Sequence, residues 1–316
     1  MNNHTKILLS MLAVVMLGIG VPAVAAQSTA LQYNYSAGIV TLSTDSLEVK
    51  VTGANQSPNF LWYDPNNESI DYHMRFVSLF EVNDTDSDGV FTRGLDTVVG
   101  PRFMLPTAGW DFSGFETDME GENVTAVHFN FTTTAAFDPR PGGPMGSYGH
   151  LPDVEEFDLM VQIRVHLHMD NPDEVKFDVV IDGWNWTYDD SILVLQFTIT
   201  ESNHGNGMPE TSPGGFHKTG TKFNFNNAYM HYEEEALSLE AQNALQVKAS
   251  YGEGVGSENG ESVYLAFEYF GNDTMVYDPI LGISSADTLP LDSTTLLIIG
   301  GVALVAIIAI ALKLKK

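Results

Sequence analysis

"VQIRVHLH" (residues 161–168), followed by "VKFDVVID" (residues 175–182), decides the fold class. In the first stretch Val161, Ile163, Val165 and Leu167 alternate with Gln162, Arg164, His166 and His168. In the second, Val175, Phe177, Val179 and Ile181 alternate with Lys176, Asp178, Val180 and Asp182. A period of two places one set of side chains on each face of an extended chain. An apolar face backed by a polar one is the pattern of an antiparallel strand lying over a core. Working outward, the same period recurs at Leu47, Val49 and Val51, at Val127, Phe129 and Phe131, at Leu193, Leu195, Phe197 and Ile199, and at Val263, Leu265, Phe267 and Tyr269. Between the termini no stretch carries a convincing helical period. Residues 233–248 come nearest, and read equally well as a turn followed by a strand. The expectation is an all-β, antiparallel β-sandwich over residues 27–283, built as one large domain or two sub-domains. Two long Gly/Pro-rich loops interrupt it, at 138–153 and 203–220, and the first is the candidate sub-domain break.

The ends predict where this sandwich resides. Residues 1–26 read as a secretory signal: Lys6, an apolar run from Ile7 to Val21, then the small residues Ala23, Val24, Ala25 and Ala26. Residues 293–312 carry no charge, and 20 residues span about 30 Å as a helix, the thickness of a bilayer core. The reading is a short stalk (284–294), a transmembrane helix (295–312) and a cytoplasmic tail (313–316). The tail lysines, Lys313, Lys315 and Lys316, favour the cytoplasmic side and leave the body outside. A processing signal exchanged for a lipid is the alternative for this tail.

Composition excludes several classes. Apart from Lys6 and the three tail lysines, 10 basic residues stand against 41 acidic ones. Such a surface repels nucleic acid and anionic lipid heads, attracts divalent cations and suits a salty medium. There is no cysteine, so a disulfide framework, a thiolate zinc site, an iron–sulfur cluster, a blue-copper centre and a cysteine nucleophile are all excluded. Eight N-x-S/T sequons, at Asn34, Asn55, Asn67, Asn83, Asn123, Asn130, Asn185 and Asn272, predict an N-glycosylated exterior.

The most specific string is "NDTDSDGVFTRGLD" (residues 83–96). Asp84, Asp86 and Asp88 occupy alternate positions and Gly89 follows. Calcium needs six to eight oxygens, and carboxylates spaced this way in a tight loop converge on one centre, while a glycine at the sixth position permits the sharp turn. The Val90 carbonyl and Thr92 fall at the seventh and ninth positions. This dozen residues resembles the calcium loops of EF-hands, dockerins and thrombospondin type-3 repeats, which implies calcium as the ligand. It departs from them at the twelfth position, where Leu95 stands. Asp96 is then the candidate closing ligand, and the flanking sequences are strands, so the setting is a β-hairpin.

Other chemistry is weaker. His166 and His168 share a strand face, with His128 on a candidate neighbouring strand and His150, His204 and His217 in loops, near Met145 and Met208; together they suit copper or zinc. Trp184 and Trp186, like Trp62 and Trp110, can stack on pyranose rings or pack a core. Carboxylate pairs are too frequent to single out a hydrolytic couple, and no serine has the setting of a nucleophile elbow. No enzyme is expected. The layout as a whole resembles an archaeal-type cell-surface glycoprotein, which implies a membrane-anchored envelope or adhesion component whose partners are other envelope proteins or glycans. A carbohydrate-binding receptor is the alternative, and a secreted hydrolase or copper-binding protein comes after it.

Overall fold

A computed structural model describes residues 31–53, 57–133, 159–203, 210–253 and 260–284. The expected signal sequence, transmembrane helix and tail lie outside the described residues, as do Asn55, His150 and His204. Among the described residues no helix is long and apolar enough to cross a membrane.

The chain opens with an antiparallel meander of β1 (Gln32–Ser36), β2 (Ile39–Ser43), β3 (Glu48–Thr52), β4 (Asn59–Tyr63) and β5 (Ile70–Asn83). β6 (Thr97–Met104) returns along the second half of β5. A 3-10 turn at Leu105–Thr107 leads into a second layer, with β7 (Trp110–Phe112), β8 (Glu116–Glu120), β9 (Asn123–Thr133), β10 (Met160–His168) and β11 (Glu174–Asp182). There β9 is flanked by β7, β8 and β10, and β10 by β11. β12 (Ile192–Asn203) crosses back and runs the length of β5. β13 (His217–Thr219), β14 (Lys222–Phe225), β15 (Ala228–His231) and β16 (Glu235–Ser238) extend the second layer. β17 (Asn243–Glu253) joins the two: its first residues pair with β16 and the rest with β18 (Glu261–Phe267), which lies against β12. β19 (Met275–Tyr277) and β20 (Ile280–Ile283) share the free edge of β11.

The alternation read from residues 161–168 is realised side chain by side chain, with Val161, Ile163, Val165 and Leu167 buried and His168 exposed. The two layers meet through these inner faces. Phe177 of the second layer sits 5.3 Å, ring to ring, from Phe60 and 6.1 Å from Phe76 of the first. The expected break at 138–153 lies outside the described residues, but the strands flanking it pair directly, from Gln162 with Thr132 to His168 with Ala126. Both sides of that loop therefore build one layer over one core.

Residues 233–248 form the hairpin of β16 and β17, in line with the strand reading of that stretch. Two expectations change. Tyr269 lies beyond β18 and is exposed. β12 is buried on both faces along most of its length, not on one. Its outer face carries a second small apolar cluster, Val194 and Ile192 with Phe80, Val82, Tyr264 and Ala266, which the loop after β5 covers through Phe91.

One glycine is demanded by packing. Gly282 is the register partner of Tyr229, and a Cβ there would stand 2.4 Å from Tyr229 Cζ. The Tyr229 ring also carries the Lys222 ammonium at 4.2 Å, and its hydroxyl donates to Glu174. Gly282→Ala is expected to displace that ring and cost about 1–3 kcal/mol, as overpacking does, read as a shift in the urea midpoint at unchanged slope.

Candidate functional site

The string at 83–96 connects β5 to β6, whose ends pair Asn83 with Thr97 and Val82 with Val98. It is a β-hairpin loop, as its flanks imply. One carboxylate oxygen from each of Asp84, Asp86 and Asp88 lies within 4.8 Å of the others. Two oxygens bound to one calcium at about 2.4 Å each stand at most about 4.8 Å apart, so this spacing fits a shared ion. Asp84 Oδ2 accepts from the Gly89 N–H at 2.6 Å, while Asp84 Oδ1 is buried and has no donor. Gly89 has φ +73°, the left-handed turn that favours glycine. Asp88 Oδ1 accepts from the Val90 N–H at 2.7 Å. Desolvation within the loop, then the charges of Asp88, Asp84 and Asp96, raise the Asp86 carboxyl above its ordinary range.

Asp96 has a different place from the one expected. Its Oδ1 accepts from the Thr85 N–H at 3.0 Å and its Oδ2 from the Thr92 N–H at 2.6 Å. It therefore ties the two sides of the loop together at the base and does not belong to the converging trio. The loop is also docked. Phe91 is buried edge-to-face against Phe80 (5.4 Å) and Tyr264 (4.9 Å). Ser250 Oγ donates to the Phe91 carbonyl at 2.7 Å, and the Lys248 ammonium donates to the Asp88 carbonyl. Strand β17 thus holds the loop from a position 160 residues away in sequence.

The second cluster is the outer face of β9 and β10. The register sets His166 opposite His128, and their Nδ1 atoms are 2.8 Å apart. The His168 ring lies 5.2 Å from that of His128 and 6.5 Å from that of His166. Partial burial, then the neighbouring His128 and His166, lower the His168 imidazole below its ordinary value.

No protein-family model matches this chain, and no curated protein matches it. Among solved structures it is similar to a heparinase III, at 8% identity and a TM-score of 0.41, over 82% of this chain and 37% of that one. It is also similar to the heparan sulfate lyase HepC of Pedobacter heparinus. A mutant form gives 11% identity and a TM-score of 0.39 over 83% of this chain, and a second structure gives 10% and 0.36 over 82%. This chain spans 37% of the length of each of those proteins. Likeness at this level speaks to neither substrate nor activity.

The tryptophans do not form a sugar platform. Trp184 is buried against Phe103 at 5.2 Å, and Trp186 is half-buried beneath Tyr269 and Phe270, its Nε1–H donating to the Gly271 carbonyl at 2.8 Å. Trp62 and Trp110 are buried as well. The loop holding Trp184 and Trp186 packs inward because it is pulled by a residue that sequence reading passed over, Glu81. Of the sequons, Asn34, Asn67, Asn83, Asn123, Asn185 and Asn272 stand exposed and Asn130 is half-buried on β9.

Another missed cluster joins Asp71, His73 and Ser202 across the β5–β12 pair. His73 Nε2 lies 3.2 Å from Asp71 Oδ1 and 3.1 Å from Ser202 Oγ, and that hydroxyl donates to Asp71. The serine proton is thus directed to the carboxylate and not to the imidazole. This network orders a strand pair and does not activate a nucleophile.

Proposed function

We propose that this chain is a calcium-braced β-sandwich of the cell surface with a structural or adhesive role and no catalysis of its own. In this reading the sequons face outward and residues 295–312 anchor it in the membrane, beside other envelope proteins or glycans. The carrying observation is the convergence of Asp84, Asp86 and Asp88 in a loop already tied at its base and docked on the outer face of the first layer. Three carboxylates held this close repel one another. A divalent ion removes that repulsion, supplies the charge that the buried Asp84 Oδ1 lacks, and clamps the β5–β6 corner over β12.

The test is the melting temperature of the full-length protein with calcium and with chelator. Binding to the folded state alone stabilises by about 2.7 kcal/mol at a hundredfold excess over Kd. Asp86→Ala is expected to abolish the calcium-dependent rise and leave melting in chelator nearly unchanged. Equal melting of the wild type in both buffers would overturn the reading.

The pH dependence has a definite sign. A carboxyl raised in the folded state contributes stability below its unfolded value, near pH 4, and loses it as pH rises through the folded value. The metal-free protein is therefore weakened on leaving the acid range, and the stabilisation by calcium is expected to grow over that same interval.

A further inference from the structure

The histidine pair on the second layer cannot complete its hydrogen bonding without a cation. His128 and His166 are 23% and 22% exposed, and each has a carboxylate behind its outer nitrogen. His128 Nε2 lies 3.3 Å from Asp118 Oδ2, and His166 Nε2 lies 3.1 Å from Asp178 Oδ2. An ionised carboxylate only accepts, so each Nε2 carries a hydrogen. A neutral imidazole has a single N–H, which leaves both Nδ1 atoms as bare lone pairs facing each other at 2.8 Å. An added proton between them, or a metal ion set to one side and bound by both, supplies the missing positive charge.

The surroundings favour a metal. Nitrogens bound at about 2.0 Å stand about 2.8 Å apart when adjacent in a square plane, and about 3.3 Å apart in a tetrahedron. The observed separation fits adjacent nitrogens of a square plane and equally an N–H···N hydrogen bond, so the flanking carboxylates carry the argument for a metal. A carboxylate accepting from the far nitrogen is what orients a ligating imidazole and fixes its tautomer, and here both rings have one. His168 adds a third imidazole on the same face as His166. The other charged groups around the pair are Glu116 opposite His128 on β8, Asp170 beyond the end of β10, and Arg164 and Lys176. Arg164 Nε donates to Gln162 Oε1, and Lys176 is paired with Asp278, so both basic neighbours are engaged elsewhere.

We propose that His128 and His166 bind a divalent first-row transition metal through their Nδ1 atoms, with Asp118 and Asp178 as positioning carboxylates. Copper(II) is the metal of choice. It prefers the tetragonal nitrogen geometry and stands highest in affinity among these ions. The site is separate from the aspartate loop, whose all-oxygen donors suit a hard cation instead.

The experiment titrates copper(II) chloride into full-length, chelator-stripped protein held in saturating calcium, and reads the electron paramagnetic resonance spectrum. The expected result is one tightly bound equivalent with hyperfine splitting from at least two nitrogens. His166→Gln and His128→Gln are each expected to lose it. Asp178→Asn is expected to weaken binding about 10- to 100-fold, as loss of an outer-shell partner does. His217→Gln, a distant exposed histidine, is expected to leave the signal unchanged. A wild-type spectrum without nitrogen splitting overturns the proposal and needs no variant. So does an equivalent that survives both histidine substitutions. Proton-detected nitrogen spectra that show a shared Nδ1 proton persisting in excess copper overturn it as well.

Discussion

Glu81→Ala is expected to cost about 3–5 kcal/mol, enough to bring a domain of ordinary stability close to unfolding. Glu81 is fully buried in β5, and its carboxylate is the acceptor for an entire loop. Its Oε1 and Oε2 accept from the Thr187 N–H at 3.0 and 2.8 Å, and Oε1 accepts from the Tyr188 N–H at 3.0 Å and from the Ser191 hydroxyl. A buried charge is tolerated when it is saturated with donors in this way. Removing it strands the Thr187 and Tyr188 N–H groups, at about 1–3 kcal/mol for each group left unsatisfied, while the Ser191 hydroxyl turns to the Tyr188 carbonyl at 2.8 Å. β6 is shaped for the same purpose. Its register slips opposite Phe80 and Glu81, and Gly100, at φ +65°, leaves no Cβ against Thr187 Oγ1, which lies 2.9 Å from that position. Glu81→Gln keeps one accepting oxygen but turns an amide N–H2 toward donors, so about half the loss is expected. Urea denaturation followed by tryptophan emission measures both, because Trp184 and Trp186 ride on the loop that is released. A change under about 0.5 kcal/mol, the range of ordinary surface substitutions, would show that the carboxylate does not hold the loop.

Phe177→Ala is expected to cost about 3–5 kcal/mol, by lost burial and by the cavity left between the layers. The ring is 1% exposed and touches Phe60 and Phe76 of the opposite layer, so neither neighbour can close the gap without moving a strand. The adjacent Lys176 points to the other face, where its pair with Asp278 is about two-fifths exposed. Lys176→Ala is expected to change stability by less than about 0.5 kcal/mol, since exposed ion pairs contribute little. The two neighbours thus report on opposite faces of one strand. Similar losses for both would deny that β11 divides a core from a solvated surface.

The period-two strings at 161–168 and 175–182 were sufficient for strand type, for the inner face and for the antiparallel class, because alternation is a local property of extended backbone. The aspartate trio was legible for the same reason, since all three carboxylates belong to one loop. Asp96 has the distance along the chain of a closing ligand, while the turn gives both its oxygens to backbone N–H groups, a partnership no spacing along the sequence shows. Trp184 and Trp186 stayed open between sugar stacking and core packing because a tryptophan's environment depends on what covers it, and Glu81 decides that.

Local order along the chain therefore determined the strands, their faces, the acidic surface and the aspartate loop. Only the tertiary structure decided that residues on both sides of 134–158 share one layer, that β12 is covered on both faces, and that His128 meets His166 between two carboxylates. The physical reason is reach. Side-chain alternation is written within a few residues, whereas a register between strands, a covering loop or a cross-strand histidine pair depends on which distant segments the buried core brings together.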